Sequence, residues 1–202
     1  MTMARGRKEG FYVDPLSERD IQMAAQNVRE LFFPVEHCYL DVVRLIEHKI
    51  PTLYPRVHLE VVPDYSLPDR EAEFDPVTFA IRVRESVYAA ACNRDGHSRD
   101  TLAHELAHFF LHRFQNPTFG RTDSNGTIPY HCNSEWQADT FARHLLVPKH
   151  LAGNMTTEEI MVKFEVSRKV ASIVSGNHSI LKQAPKQMQQ EELLPGVNWN
   201  AC

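Results

Sequence analysis

The feature that most constrains the fold is a pair of histidines four residues apart in an apolar stretch. The sequence H-E-L-A-H occupies residues 104–108, and the surrounding apolar residues predict a helix over residues 101–114. Side chains four apart on a helix point the same way, so His104 and His108 can bind one metal ion. Glu105 lies beside them, positioned to take a proton from water rather than to bind the metal. This stretch therefore predicts a helix that carries part of a metal centre.

Two histidines leave a catalytic zinc site one protein ligand short, because such sites combine three protein ligands with one open position. Glu135, at the start of a later predicted helix, is the candidate third ligand. Asp139 lies one turn further along the same face, where its carboxylate can accept the second ring N–H of a ligand histidine. An ordinary solvated helix face has the same spacing, so spacing alone leaves both assignments open.

Three further residues near the pattern are weaker candidates for metal ligands. His112 continues the histidine stripe, but it lies eight residues after His104. That separation is about 12 Å along a helix axis, too far for the two to share one ion, so we interpret His112 as a polar edge of the helix. His131 and Cys132 precede Glu135 and can reach a metal, although loop residues near a site are more often bystanders.

Composition excludes several function classes. The chain has 202 residues, 11 histidines and a formal net charge of −4. This charge provides no field that attracts phosphate backbones, which disfavours a dedicated nucleic-acid binder. No stretch approaches the roughly 18–20 apolar residues that span a bilayer. The four cysteines contain no C-x-x-C pair. We therefore expect a cytoplasmic protein with reduced thiols and no membrane partner.

Hydrophobic periodicity predicts two helices before any strand. The first covers residues 17–33 and the second residues 42–50, which end before a proline. Alternating apolar residues at 57–61 and 77–84 predict two strands that can pair in one antiparallel sheet. Asp100 or Ser98 can cap the H-E-x-x-H helix. The expected fold class is α+β, with a short mixed or antiparallel sheet packed against that helix.

Two runs of sequence are specific enough for a family resemblance. Residues 99–112 read R-D-T-L-A-H-E-L-A-H-F-F-L-H, and residues 135–148 read E-W-Q-A-D-T-F-A-R-H-L-L-V-P. Together they resemble the ImmA/IrrE family of metallo-endopeptidases, and the order of predicted elements matches over residues 15–150. Ala107 stands where the family often has glycine and Val147 where it often has methionine, and both are small changes.

The resemblance implies a zincin-like fold, a site and an activity. It implies zinc held by His104, His108 and Glu135, with Glu105 as the general base. Manganese is an alternative, because a His/His/Glu set accepts several divalent metals. Members of the family are intracellular and cut a transcriptional repressor, often encoded nearby, which releases the repressed genes. The implied partner is therefore a protein substrate, a helix-turn-helix repressor.

Composition and local patterns also predict a domain organisation. Residues 1–10 are predicted to be a disordered arm and residues 11–150 the zinc metallopeptidase domain. Residues 151–184 are predicted to form a short helical appendage. The glutamine-rich residues 185–202 are predicted to form a flexible tail.

Two other function classes remain open. Residues 160–174 resemble a helix-turn-helix, with Val166 and Ser167 where a recognition helix begins, which is typical of a DNA-binding regulator. However, Glu165 at the turn fits a positive φ poorly. Residues 156–202 carry five Lys or Arg against five Glu, a net charge of zero, so direct nucleic-acid binding is disfavoured. The other class is a non-catalytic metal-binding sensor, since an intact motif does not prove turnover.

Overall fold

The structure, a computed structural model, describes three stretches of the chain. They are residues 10–33, 37–115 and 127–176. The predicted arm up to residue 9, residues 116–126 of the loop before Glu135 and the predicted tail lie outside them. The described part combines α-helices with one three-stranded mixed sheet, which confirms the expected α+β class.

Eight α-helices and three strands make up the regular structure of the described residues. In chain order they are α1 (Glu18–Phe32), α2 (Val42–Arg44), β1 (His58–Val62), β2 (Ala72–Asp75), β3 (Ala80–Arg84), α3 (Glu85–Cys92), α4 (Gly96–Ala107), α5 (Ser134–Leu146), α6 (Lys149–Ala152), α7 (Thr157–Phe164) and α8 (Arg168–Val174). Helix α2 continues as a π-helical turn over Leu45–Lys49, and α4 does so over His108–His112. Among the described helices, none is long and apolar enough to cross a membrane.

Capping residues explain where three of the helices begin. Ser17 and Asp20 form a reciprocal capping box at the start of α1, and Thr156 and Glu159 form another at α7. The side chain of Asn133 caps α5. The starts of α1 and α5 agree with the predicted helix over residues 17–33 and with the predicted place of Glu135, because a cap is a local signal in which one side chain satisfies main-chain N–H groups a turn away.

Helix α4 begins earlier than the sequence predicts. Its first residue is Gly96, and its N-cap is Asp95, whose carboxylate accepts a hydrogen bond from the Ser98 N–H. The predicted caps Asp100 and Ser98 therefore lie inside the helix, and that prediction was wrong. The helical apolar pattern starts only near Leu102, so it marks the buried part of the helix and not its beginning.

The sheet has the strand order β1-β3-β2. β3 pairs in parallel with β1 and antiparallel with β2. The two strands predicted from sequence, β1 and β3, are therefore not antiparallel neighbours. β2 lies between them in the chain and takes the hairpin position beside β3, so β1 must reach β3 by a crossover. β2 itself was missed, because its sequence A-E-F-D contains no β-branched residue.

Helix α4 occupies the centre of the fold. It packs against α5, α2, α3 and the sheet, and α5 also packs against α1. Leu102, Leu106 and Phe109 are almost completely buried between these elements. The histidines of the H-E-x-x-H pattern therefore project from a helix that the core holds on several sides.

Helices α7 and α8 pack onto the same core. Ile160 and Phe164 of α7 belong to the buried cluster that also contains the α4 side chains. At the start of α4, a Cβ added to Gly96 would lie 2.4 Å from the main-chain carbon of Val166, a distance that real Cβ atoms do not reach. Only glycine permits this approach. The boundary near residue 150 stays a prediction.

The turn between α7 and α8 has the left-handed conformation that a helix-turn-helix requires. Glu165 adopts φ 52° and ψ 53°, although glutamate is unfavourable there. Two arginines stabilise the turn from outside. Arg94 Nη1 lies 2.9 Å from Glu165 Oε1, and the buried guanidinium of Arg99 donates to the Glu165 carbonyl. The expected conflict at Glu165 is thus offset by tertiary contacts.

Candidate metal centre

Three predicted residues meet at one point between α4 and α5. His104 lies in the last turn of α4, His108 begins the π-helical turn that continues this helix, and Glu135 lies in the first turn of α5. His104 Nε2 is 3.2 Å from His108 Nε2 and 3.2 Å from Glu135 Oε2. His108 Nε2 is 3.6 Å from Glu135 Oε1. The three side chains are 19–30% exposed, so the group is sheltered but open to solvent on one side.

The spacing of these atoms fits a tetrahedral metal ion. Bonds of about 2.0–2.1 Å to nitrogen or oxygen place neighbouring tetrahedral ligands about 3.3–3.4 Å apart. The two separations from His104 Nε2, both 3.2 Å, lie close to this value, and His108 Nε2 lies 3.6 Å from the second carboxylate oxygen of Glu135. Among the described residues, His104, His108 and Glu135 are the group of three or more potential metal ligands whose ligand atoms lie close enough together to bind one ion.

Asp139 holds the ring of His104. Its Oδ1 lies 2.9 Å from His104 Nδ1, on the side of the ring away from the ligand group. A carboxylate accepts the Nδ1–H, so the lone pair of the neutral ring is left at Nε2, where the metal would bind. The structure therefore places Asp139 where the sequence predicted it.

We expect Asp139→Ala to weaken metal binding without unfolding the protein. Loss of the hydrogen bond frees the His104 ring to rotate and to change tautomer, which should cost about 10–100-fold in metal affinity. Competition with a chelator of known affinity measures this effect. Asp69→Ala is the matched control, because it removes an exposed carboxylate from the rim of the same cleft. An equal loss in both variants would show that only the overall negative charge matters.

The surroundings of the two histidines favour a positive charge on His104 and a neutral His108. Burial opposes a charge on His104, but hydrogen bonds to Asp139 and Glu135 outweigh it and raise the pKa of His104 to about 10. Burial and the adjacent His104 lower the pKa of His108. The hydrogen bond from His104 lowers the pKa of Glu135 to about 2. A metal cation in this place would replace the proton on His104, so metal binding should release a proton.

Glu105 lies beside this group and touches the edge of the sheet. Its Oε2 accepts a hydrogen bond of 2.8 Å from the Phe74 N–H of β2. Burial raises the pKa of Glu105, while the charge of His104 and the Phe74 N–H oppose that shift. A carboxylate with a raised pKa is a stronger base near neutral pH. Glu105 is thus held in place and suited to accept a proton.

The N-terminal stretch over residues 10–16 runs along the segment that leads into α5. The Phe11 N–H donates to Ser134 Oγ, and the Val13 N–H donates to the Cys132 carbonyl. A Cβ added to Gly10 would lie 2.8 Å from Glu135 Cγ, so the main chain passes directly against this side chain. No sequence signal predicted this contact, because main-chain pairing between distant segments leaves no periodic pattern.

The weaker ligand candidates lie outside the group. The side chain of Cys132 is buried and that of His131 is exposed, packed edge-on against Tyr130. His112 approaches the far side of the His108 ring and is hydrogen-bonded to Gln137. Gln137 is a residue near the site that sequence reasoning missed, and nothing in the local pattern identified it.

Two adjoining cavities open onto the centre. One, of about 690 Å³, is lined by His104, His108 and Glu135 together with Phe74 of β2. The other, of about 880 Å³, also reaches His104 and continues to α8. Together they form a cleft with the three ligand atoms in its wall, large enough to admit a polypeptide segment.

Comparison with known families agrees with this geometry. The model of the Peptidase M78 family, described as the IrrE N-terminal-like domain, matches residues 47–173. The chain belongs to this family. No curated protein and no solved structure gives a significant match. Membership confirms the sequence resemblance, and it supports a metallopeptidase-type activity that depends on a divalent metal.

The Peptidase M78 match covers the H-E-x-x-H helix, Glu135, α7 and all but the last residue of α8. It does not cover α1 or the stretch at residues 10–16. The contacts of Gly10 and Phe11 beside Glu135 therefore come from a part of the chain that the family model does not describe. The roles of the individual site residues rest on the geometry given above.

Proposed function

We propose that the protein is an intracellular zinc-dependent endopeptidase that cuts a transcriptional repressor. The observation that carries this proposal is the convergence of His104, His108 and Glu135 at tetrahedral spacing, with Glu105 next to them, in a chain of the Peptidase M78 family. The donor set of two imidazoles and one carboxylate is typical of catalytic zinc, with a fourth position left for water. Manganese is the alternative ion.

The chemistry follows from the places of the side chains. A divalent metal held by His104, His108 and Glu135 would supply a Lewis acid that polarises the scissile carbonyl and lowers the pKa of a water molecule. Glu105 takes a proton from the water molecule while the oxygen of that water bonds to the carbonyl carbon. Glu105 then returns the proton to the amine as the carbon–nitrogen bond breaks. Asp139 keeps the His104 ring in orientation throughout.

The edge strand β2 can bind a peptide in the cleft through main-chain hydrogen bonds. β2 is an edge strand, because it pairs only with β3 in the described sheet. Main-chain groups of an edge strand can pair with an extended chain without regard to its side chains. Phe74 lies on this edge and contacts Glu105, so a peptide bound along β2 would pass the proposed base. This placement suits an endopeptidase.

Helix α8, which packs against α7, lines the same cleft. Lys169, Val170 and Ile173 of α8 line the cavity that reaches His104. Arg168 forms an ion pair of 2.9 Å with Glu158 of α7, which offsets its charge. A recognition helix used for DNA would present its basic residues free of such contacts. We therefore propose that α7 and α8 contact the protein substrate and not nucleic acid.

The repressor substrate rests on the resemblance of the two motif runs to ImmA/IrrE proteins. The cytoplasmic location has the same support, together with the thiols of Cys92 and Cys132, which form no disulfide among the described residues. A helix-turn-helix repressor encoded next to this protein is the substrate to test first.

Removal of the metal should abolish cleavage reversibly. We expect about one zinc per chain by elemental analysis, and shortening of the neighbouring repressor on a gel. Treatment with a chelator should stop cleavage, and added zinc should restore it. Zinc without cleavage of any protein would favour the non-catalytic sensor. Absence of zinc or manganese from the purified and the reloaded protein would overturn the metal site.

A further inference from the structure

A series of hydrogen bonds reaches His108 at Nδ1, the ring nitrogen that faces away from the other proposed ligands. His108 Nδ1 lies 3.0 Å from His112 Nδ1, and His112 Nε2 lies 2.9 Å from Gln137 Oε1. Gln137 is completely buried in α5. Its Nε2 donates to two main-chain carbonyls, those of Asp14 and His131, both at 2.8 Å.

The two main-chain carbonyls decide which atoms donate and which accept in this series of hydrogen bonds. A carbonyl oxygen can only accept, so the NH₂ group of Gln137 must face Asp14 and His131, and its oxygen must face His112. The neutral His112 ring therefore carries its single proton on Nε2 and has a lone pair on Nδ1. That lone pair can only accept, so the facing Nδ1 of His108 carries a proton. The lone pair of His108 is then on Nε2.

The π-helical turn over His108–His112 accompanies this contact. In a regular α-helix the two imidazoles would lie side by side on one face, both directed outward. The wider turn starts at His108 itself, and the two Nδ1 atoms face each other. Single π-turns inside α-helices often occur at functional sites.

We propose that His112 and Gln137 are positioning residues that hold His108 in the tautomer able to bind metal through Nε2. The inference rests on the proposed metal site. Asp139 does the same for His104 with a charged carboxylate, whereas the His112–Gln137 pair does it with neutral groups. The site thus gains a second oriented ligand without another negative charge beside Glu105 and Glu135.

The carbonyl groups that orient Gln137 connect this series of hydrogen bonds to the N-terminal stretch. One of the two carbonyls that orient Gln137 belongs to Asp14, within residues 10–16. The other belongs to His131, whose carbonyl also accepts from the Leu16 N–H. Residues outside the family-matched region therefore take part in setting the tautomer of a proposed metal ligand.

Two substitutions at His112 test the inference. His112→Leu removes the acceptor, and zinc affinity should fall about 10–100-fold. In His112→Asn the side-chain oxygen takes nearly the place of Nδ1, so affinity should stay within about threefold of wild type. His144→Leu is the matched control, because His144 is a buried histidine of α5 whose ring contacts Glu18 and which lies outside the group of metal-ligating side chains. Chelator competition measures affinity, and circular dichroism checks folding.

Nitrogen-15 NMR of the imidazoles reads the tautomers directly. In metal-free wild type we expect His112 to carry its proton on Nε2 and His108 on Nδ1. In His112→Leu, the His108 proton should be distributed over both nitrogens. A proton on Nδ1 of His112 in wild type, or wild-type zinc affinity in folded His112→Leu, would overturn the inference. If wild type binds no zinc, the proposed function fails, and the metal-free spectrum still decides the role of His112.

Discussion

Glu105→Gln should lower the rate of substrate cleavage about 10²–10⁴-fold while about one metal ion per chain is retained. The amide cannot accept a proton from water, so the step that generates the nucleophile loses its base. The fold should persist, because the amide oxygen can still accept the Phe74 N–H that now bonds Glu105 Oε2 at 2.8 Å. Cleavage of the repressor, followed by mass spectrometry, measures the rate, and elemental analysis measures the metal.

The control for this prediction is the same chemical change at the far edge of the sheet. Glu60→Gln alters a carboxylate of β1, which forms a salt bridge of 3.5 Å with Arg82, and should leave cleavage unchanged. Substantial cleavage by Glu105→Gln would assign the base to another residue. Loss of metal from the variant would instead show that Glu105 helps to hold the ion.

Arg99→Met should lower the free energy of unfolding by about 3–5 kcal/mol. The side chain of Arg99 is 1% exposed. Nη1 donates to the Phe164 carbonyl at 2.9 Å and to the Glu165 carbonyl, and Nη2 donates to the Leu40 carbonyl at 2.6 Å. Methionine fills similar space but leaves all three carbonyls without this donor. Urea denaturation of the metal-free protein measures the loss.

Arg94→Met is the matched control, since Arg94 binds the same Glu165 from the surface. Its side chain is 64% exposed, and its ion pair with Glu165 measures 2.9 Å. An exposed pair of this kind should contribute no more than about 1 kcal/mol. Similar losses in both variants, or a stability of Arg99→Met within about 1 kcal/mol of wild type, would contradict the assigned role of Arg99.

Arg99 also illustrates why local patterns mislead within α4. The sequence placed the start of the helix at Thr101 with Asp100 or Ser98 as cap, since the apolar spacing begins there. The structure uses the preceding turn to attach α7 and α8, through Gly96 and Arg99. A buried arginine that binds carbonyls distant in sequence has no periodic signature, so only the packed structure shows it.

The sequence alone predicted the part of the site that depends on short-range spacing. His104, His108 and Glu105 lie within five residues of one helix, whose 3.6-residue period decides their common direction. Glu135 and Asp139 are also one turn apart, and their predicted places agree with the structure. The α+β class followed from the change between helical and alternating periods.

Only the tertiary structure decided how these pieces meet. The parallel pairing of β1 with β3, the edge position of β2 at Glu105 and the course of residues 10–16 beside Glu135 all join segments far apart in sequence. Such contacts depend on how the whole core packs, and no single segment records them. His112 shows the limit most clearly. Its spacing argued against a place in the ligand group, but its contact with Gln137 required two helices to be placed side by side.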